Sequence, residues 1–169
     1  MTRMNRLVFA ALIAMLTLCT GNAFAARTLV AELLARAPAA DGQPANQPVM
    51  SSLALEACLR RAGELDRTGV TVDTEVAAID RLAAEGMFLQ NQIDAEMPAL
   101  NGYDEKALNE FQRRVIRHEE LARKFKADFP AYQKDQKDYD AALAEFDRDC
   151  SGAFTANDLS FAKAKLGIK

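Results

Sequence analysis

A seam in the second half of the chain restricts the fold more than any other feature. Counting in steps of three and four from Leu108 lands on Phe111, Val115, His118, Ala122, Phe125, Phe129, Tyr132, Gln136, Tyr139, Leu143, Phe146 and Cys150, and only His118 and Gln136 among these are plainly polar. A three-four repeat kept up over about six heptads predicts one long helix lying along a partner. Pro130 falls inside it and predicts a kink or a restart, because proline removes a backbone donor and crowds the preceding turn. His118 is the single histidine of the chain. On this seam it reads as a packing residue that fixes register together with Gln136.

The partner lies upstream. Ser51 or Ser52 can cap a helix whose apolar positions Leu55, Cys58, Leu59, Ala62 and Leu65 recur at three and four. Thr68-Gly69 then reads as an end, with Thr71 or Asp73 as the next cap. Val72, Ile79, Leu82, Leu89, Ile93 and Leu100 continue on one stripe, interrupted by Glu75, Gly86 and Glu96. Met97-Pro98 and Asn101-Gly102 are breakers, and Asp104 offers the cap of the following helix. Strand-like alternation is absent from the sequence. The expected fold is therefore all-α. It is either a long antiparallel, coiled-coil-like hairpin or, if residues 51–67 fold back at Gly69, a three-helix bundle; each has a short C-terminal helix.

The first 25 residues differ in character. Arg3 and Arg6 precede an apolar run from Leu7 to Leu18, and small residues follow up to Ala23-Phe24-Ala25, the pattern of a cleaved secretory signal peptide. The run is shorter than the ~20 residues of a spanning helix. Leu18 occupies the place before Cys19 where lipoprotein processing needs a small side chain. Periplasmic or secreted localisation is the expectation, with no membrane span. Residues 26–50 carry Pro38, Pro44 and Pro48 among Ala, Gly, Gln and Asn and read as a flexible lead-in, which leaves residues 51–169 as one helical domain.

Without Arg3 and Arg6 the chain keeps 19 basic against 24 acidic residues, a formal charge of −5. That balance argues against nucleic acid as a partner. Two cysteines remain, Cys58 and Cys150, and an even count in an oxidising compartment reads as a disulfide. In an antiparallel hairpin, residues at one level have numbers centred on the turn. The midpoint of Cys58 and Cys150 is 104, beside the Asn101-Gly102 break, so the breakers and the cysteines independently place the same bend. The bridge closes a loop of about 93 residues, a contribution of roughly 4 to 5 kcal/mol at most.

The stretch Asp147 to Asp158, "DRDCSGAFTAND", has oxygens at the offsets of a calcium loop: Asp147, Asp149, Ser151, the Ala153 carbonyl, Thr155 and Asp158, with Gly152 at the sharp turn. Tyr139, Ala142, Leu143 and Phe146 before it, and Leu159, Ala162 and Leu166 after it, have the spacing of flanking helices. Residues 139–167 thus resemble a single EF-hand, and the resemblance implies calcium as the ligand. Asp158 stands where the family has Glu and Phe154 where it has an aliphatic residue. A looser resemblance covers the C-terminal half, "FPAYQKDQKDYDAALAEFDRDCSGAFTANDL", which is similar to small, uncharacterised exported helical proteins of Gram-negative bacteria whose aromatic-rich last helix ends near a cysteine. It implies a cysteine-clamped hairpin and no activity.

No glycine-rich phosphate loop, nucleophile elbow or basic aromatic surface is present, and one histidine cannot form a triad. The expectation is a non-enzymatic protein without a cofactor, apart from the calcium reading. The aromatic seam offers itself to a protein partner or to a second copy in a homodimer.

Overall fold

The structure, a computed structural model, describes residues 28–38, 48–100, 102 and 104–168. The expected signal peptide, Cys19 and Asn101 lie outside them. Among the described residues four α-helices follow one another: α1 (Leu29–Ala35), α2 (Ser52–Glu96), α3 (Glu105–Asp149) and α4 (Ala156–Leu166), with a 3₁₀ turn at Met97–Ala99. Among the described residues no β-strand occurs, only an isolated parallel bridge between Val49 and Ala153. The fold is an all-α antiparallel helical hairpin with a short C-terminal helix.

Local chemistry sets the helix ends. Ser51 Oγ accepts from the Ala54 backbone N–H at 3.3 Å, and Asp104 accepts from that of Ala107 at 3.0 Å, so both long helices start at the caps their sequence offers. Pro98 stands in the 3₁₀ turn that ends α2. Gly167 closes α4 at φ 66°, a left-handed conformation that glycine adopts without strain.

Neither long helix ends where the sequence reads an interruption. Helix α2 runs without a break through Thr68-Gly69, which excludes the three-helix alternative. A Cβ on Gly69 would come within 2.7 Å of Tyr139 Oη, so the glycine admits a tyrosine ring and does not end the helix. Helix α3 likewise continues through Pro130.

The chain divides into two compact units, residues 75–132 and residues 25–74 with 133–169. Each contains a stretch of both long helices. In the second, here the disulfide unit, the buried core comprises Leu55, Cys58, Leu59, Ala62 and Leu65 of α2, Phe146 and Cys150 at the end of α3, Leu29 and Leu33 of α1, Met50, Phe154, and Ala162 of α4. The flexible lead-in expected over 26–50 is thus corrected over its described part. Leu29 and Leu33 are buried, and Asp66 of α2 accepts from the Leu29 and Val30 backbone N–H groups at 2.7 and 3.3 Å. A carboxylate from another helix therefore satisfies the free donors that open α1. Pro48 and Met50 bond Ala153 through Ala153 N–H to Pro48 O at 3.1 Å and Met50 N–H to Ala153 O at 2.7 Å.

The hairpin-turn unit, residues 75–132, has a thinner interior. Ile79, Ile93, Leu121 and Phe125 are its buried apolar side chains among the described residues. Phe125 stacks on Phe129 with ring centroids 5.0 Å apart. Arg114 bonds Glu96 at 2.6 Å and Arg117 bonds Glu85 at 3.0 Å, pairs centred on 105 and 101. In the disulfide unit Arg61 bonds Glu145 at 2.7 Å, a pair centred on 103. Within each unit, then, the antiparallel register is the one the cysteine midpoint predicts.

Candidate interaction site

The disulfide unit carries most of the residues that the sequence singles out. Cys58 and Cys150 have their sulfurs 2.04 Å apart, with Cα atoms separated by 5.7 Å. Met50 Sδ lies 4.0 Å from Cys58 Sγ. Arg36 Nη1 donates to the Cys150 carbonyl at 2.6 Å, placing a cation at the C-terminal end of α3 where the helix dipole favours one.

Of the six calcium-ligand positions, Thr155 and Asp158 bond each other directly, and the others have different partners. Helix α3 continues through Asp149, so Asp147 and Asp149 lie on a helix about 200° apart. Asp149 bonds Arg61 at 3.3 Å and Arg148 at 3.0 Å. Ser151 Oγ donates to the Arg148 carbonyl at 3.4 Å, and the Ala153 carbonyl accepts from Met50. Thr155 and Asp158 form a reciprocal cap at the start of α4: Asp158 N–H donates to Thr155 Oγ1, while Thr155 N–H and its hydroxyl donate to Asp158 Oδ2. Ser52 Oγ donates to the other carboxylate oxygen at 2.7 Å. Among the described residues no group of three or more His, Cys, Asp or Glu is placed to hold a metal ion. Calcium needs six to eight oxygens at 2.3–2.6 Å. Binding it here would require Asp158 to leave Thr155 and Ser52, and Ala153 to leave Met50. Calorimetric titration of the oxidised protein with calcium is therefore expected to give a flat trace up to millimolar ion; heat abolished by Asp147→Ala would show that the loop rearranges.

The same cap carries a pH dependence. Hydrogen bonds from the Thr155 and Ser52 hydroxyls hold the Asp158 carboxyl below the usual carboxylate range. A depressed folded-state value means stability that is present above the unfolded carboxylate value of ~3.9 and lost as pH falls through the folded one. Acid unfolding of the native protein should thus be steeper than that of Asp158→Asn, and superimposable acid titrations would show that the cap does not contribute.

In the hairpin-turn unit His118 is half-buried. Desolvation lowers its pKa, opposed by the nearby carboxylates Glu119 and Asp94. The seam aromatics Phe111, Phe125, Phe129, Tyr132, Tyr139 and Phe146 are buried or half-buried, none exposed. The stripe expected to receive a partner is therefore turned inward. Phe88 is 61% exposed, but it stands nine residues from Ile79, half a turn round α2 from the seam, and single exposed apolar side chains are ordinary.

The recess on the unit's flank is more extensive. A groove of about 710 Å³ runs between α2 and α3, with Ala78, Ile79, Leu82, Leu121, Ala127 and Ala131 among its lining. Seven charged side chains share it: Glu75, Arg81 and Glu85 from α2, and Arg117, Glu120, Lys124 and Asp128 from α3. Periodicity alone did not show this surface, because its charged walls flank the seam on each helix and come together only once the register is fixed. No described helix is long and apolar enough to cross a membrane. Compared with protein-family models, curated proteins and solved structures, the chain matches none of them.

Proposed function

We propose that this is an exported, non-enzymatic helical interaction or structural protein, closed at the disulfide unit and presenting the flank groove of its hairpin-turn unit to a protein partner. The observation that carries the reading is the contrast in burial: twelve buried residues form one core cluster in the disulfide unit, whereas the described residues of 75–132 bury four apolar side chains. Two helices alone enclose little area per residue, and further burial comes from another surface laid against them. A groove floored by alanine and aliphatic side chains and edged by charges suits a protein helix better than a small polar metabolite. Export is supported by the basic-then-apolar N-terminal sequence and by the cysteine pairing, which persists in oxidising compartments. The looser resemblance to exported cysteine-clamped hairpins agrees with both.

The test is photo-cross-linking in intact cells from residue 131. A cross-linking side chain in place of Ala131 should give protein adducts in the envelope fraction. The same side chain in place of exposed Lys137, in the disulfide unit, should give far fewer. Equal labelling from both positions, or none from 131, would overturn the reading.

A further inference from the structure

We propose that the occupant of the flank groove is a second copy of this chain, packed antiparallel about a two-fold axis at Ala78, with Glu75 and Asp128 of each copy against Arg81 and Lys124 of the other. This rests on the interaction reading above and adds the occupant and its geometry.

The charges of the groove fall into levels. With the two helices paired about residue 101 to 105, Glu75 and Asp128 stand at one level, Arg81 and Lys124 at the next, and Glu85 with Glu120 at a third. Each level thus sets like charges on opposite walls. Within the chain the third is neutralised, because Arg117 reaches Glu85 at 3.0 Å and Glu120 at 3.7 Å. The first two are not: among the described residues none of Glu75, Asp128, Arg81 and Lys124 takes part in an ion pair. Arg81 spends only its Nε, on the Ala77 carbonyl at 3.1 Å. One oxygen of Glu75 is buried without a hydrogen-bond partner. An acidic level beside a basic level, both unanswered within the chain, calls for a surface with the opposite order.

The chain itself supplies that surface. A two-fold axis lying across the groove reverses helix direction and keeps each helix against its own counterpart, the isologous arrangement of most dimers. Placed midway between the two levels, it brings Glu75 of one copy to Arg81 of the other and Asp128 to Lys124, four oppositely charged contacts in all. On α2 the midpoint of 75 and 81 is residue 78, an alanine; on α3 the midpoint of 128 and 124 is Lys126, which is not part of the groove lining, and the lining residue next to it is Ala127. Alanine at the axis lets two helix backbones approach closely where each copy meets itself. Ala78 and Leu82, half-buried in the single chain, and Ala127 and Ala131, exposed in it, are then covered, which adds to the burial of the unit.

Sedimentation of the purified, oxidised protein tests this. The native chain should associate to a dimer that weakens as salt rises. Arg81→Glu with Lys124→Glu makes both levels acidic, and Glu75→Lys with Asp128→Lys makes both basic. Each double variant alone should associate at least about tenfold more weakly, and an equimolar mixture of the two should recover native association. Ala78→Trp, which changes no charge, should also weaken it, and unchanged helical circular dichroism shows that the variants fold. A concentration-independent native monomer, double variants that associate like the native chain, or a mixture that fails to recover would each overturn the proposal. If that happens while cross-linking from residue 131 still yields adducts with another protein, the second copy is wrong and the interaction reading stands. Loss of both results removes both.

Discussion

Replacing Cys58 and Cys150 together by alanine should lower the unfolding free energy by up to about 4 to 5 kcal/mol, read as a lower urea midpoint. The two residues are 92 apart in sequence, so the bridge removes a large share of the denatured chain's freedom. A dithiol reductant should reproduce the shift in the native protein and leave the double variant unmoved. The effect approaches the whole stability of an ordinary domain, which is about 5 to 15 kcal/mol. Equal midpoints with and without reductant would show that the chain reaches this fold without the bridge.

Phe154→Ala should be the next most damaging change, at about 3 to 5 kcal/mol. Phe154 is 2% exposed and belongs to the same cluster as Phe146, Cys150 and Ala162. It stands in the connection between α3 and α4, next to the Ala153 that pairs with Val49. Truncation leaves a cavity under this connection, and hydrogen exchange should quicken in α4 and at Met50 before it does in the hairpin-turn unit. A thermal midpoint within a degree or two of the native value would remove the ring from any central part in the core. Because Phe154 and Cys150 share a cluster, the triple variant should lose less than the sum of the separate losses.

The long helices were legible because their pattern repeats: each seam position from Leu108 to Cys150 is buried or half-buried, and the caps at Ser51 and Asp104 are used. What failed to show depends on contacts distant in sequence. Gly69 carries the local signal of a helix end, and only the Tyr139 ring, seventy residues on, explains it. Leu29, Leu33 and their neighbours have helical spacing, but seven residues form no stable helix in isolation. Their fixed place comes from Asp66 and from a core that includes Phe146 and Phe154. Asp158 matched a ligand position, yet the same carboxylate three residues after Thr155 is also a capping pattern, and with Ser52 beside it the cap forms. The charge levels of the groove are invisible in either helix alone, since each wall taken singly shows ordinary alternating signs.

The placement of α1 also has a consequence for biosynthesis. Leu29 and Leu33 are made more than a hundred residues before Phe146, Cys150, Phe154 and Ala162, which belong to the surface that shelters them. A nascent chain must carry that apolar segment while the intervening residues are made, and a truncation before about residue 146 leaves it without this shelter. Translation stalled before Phe146 should therefore leave a ready client for holding chaperones.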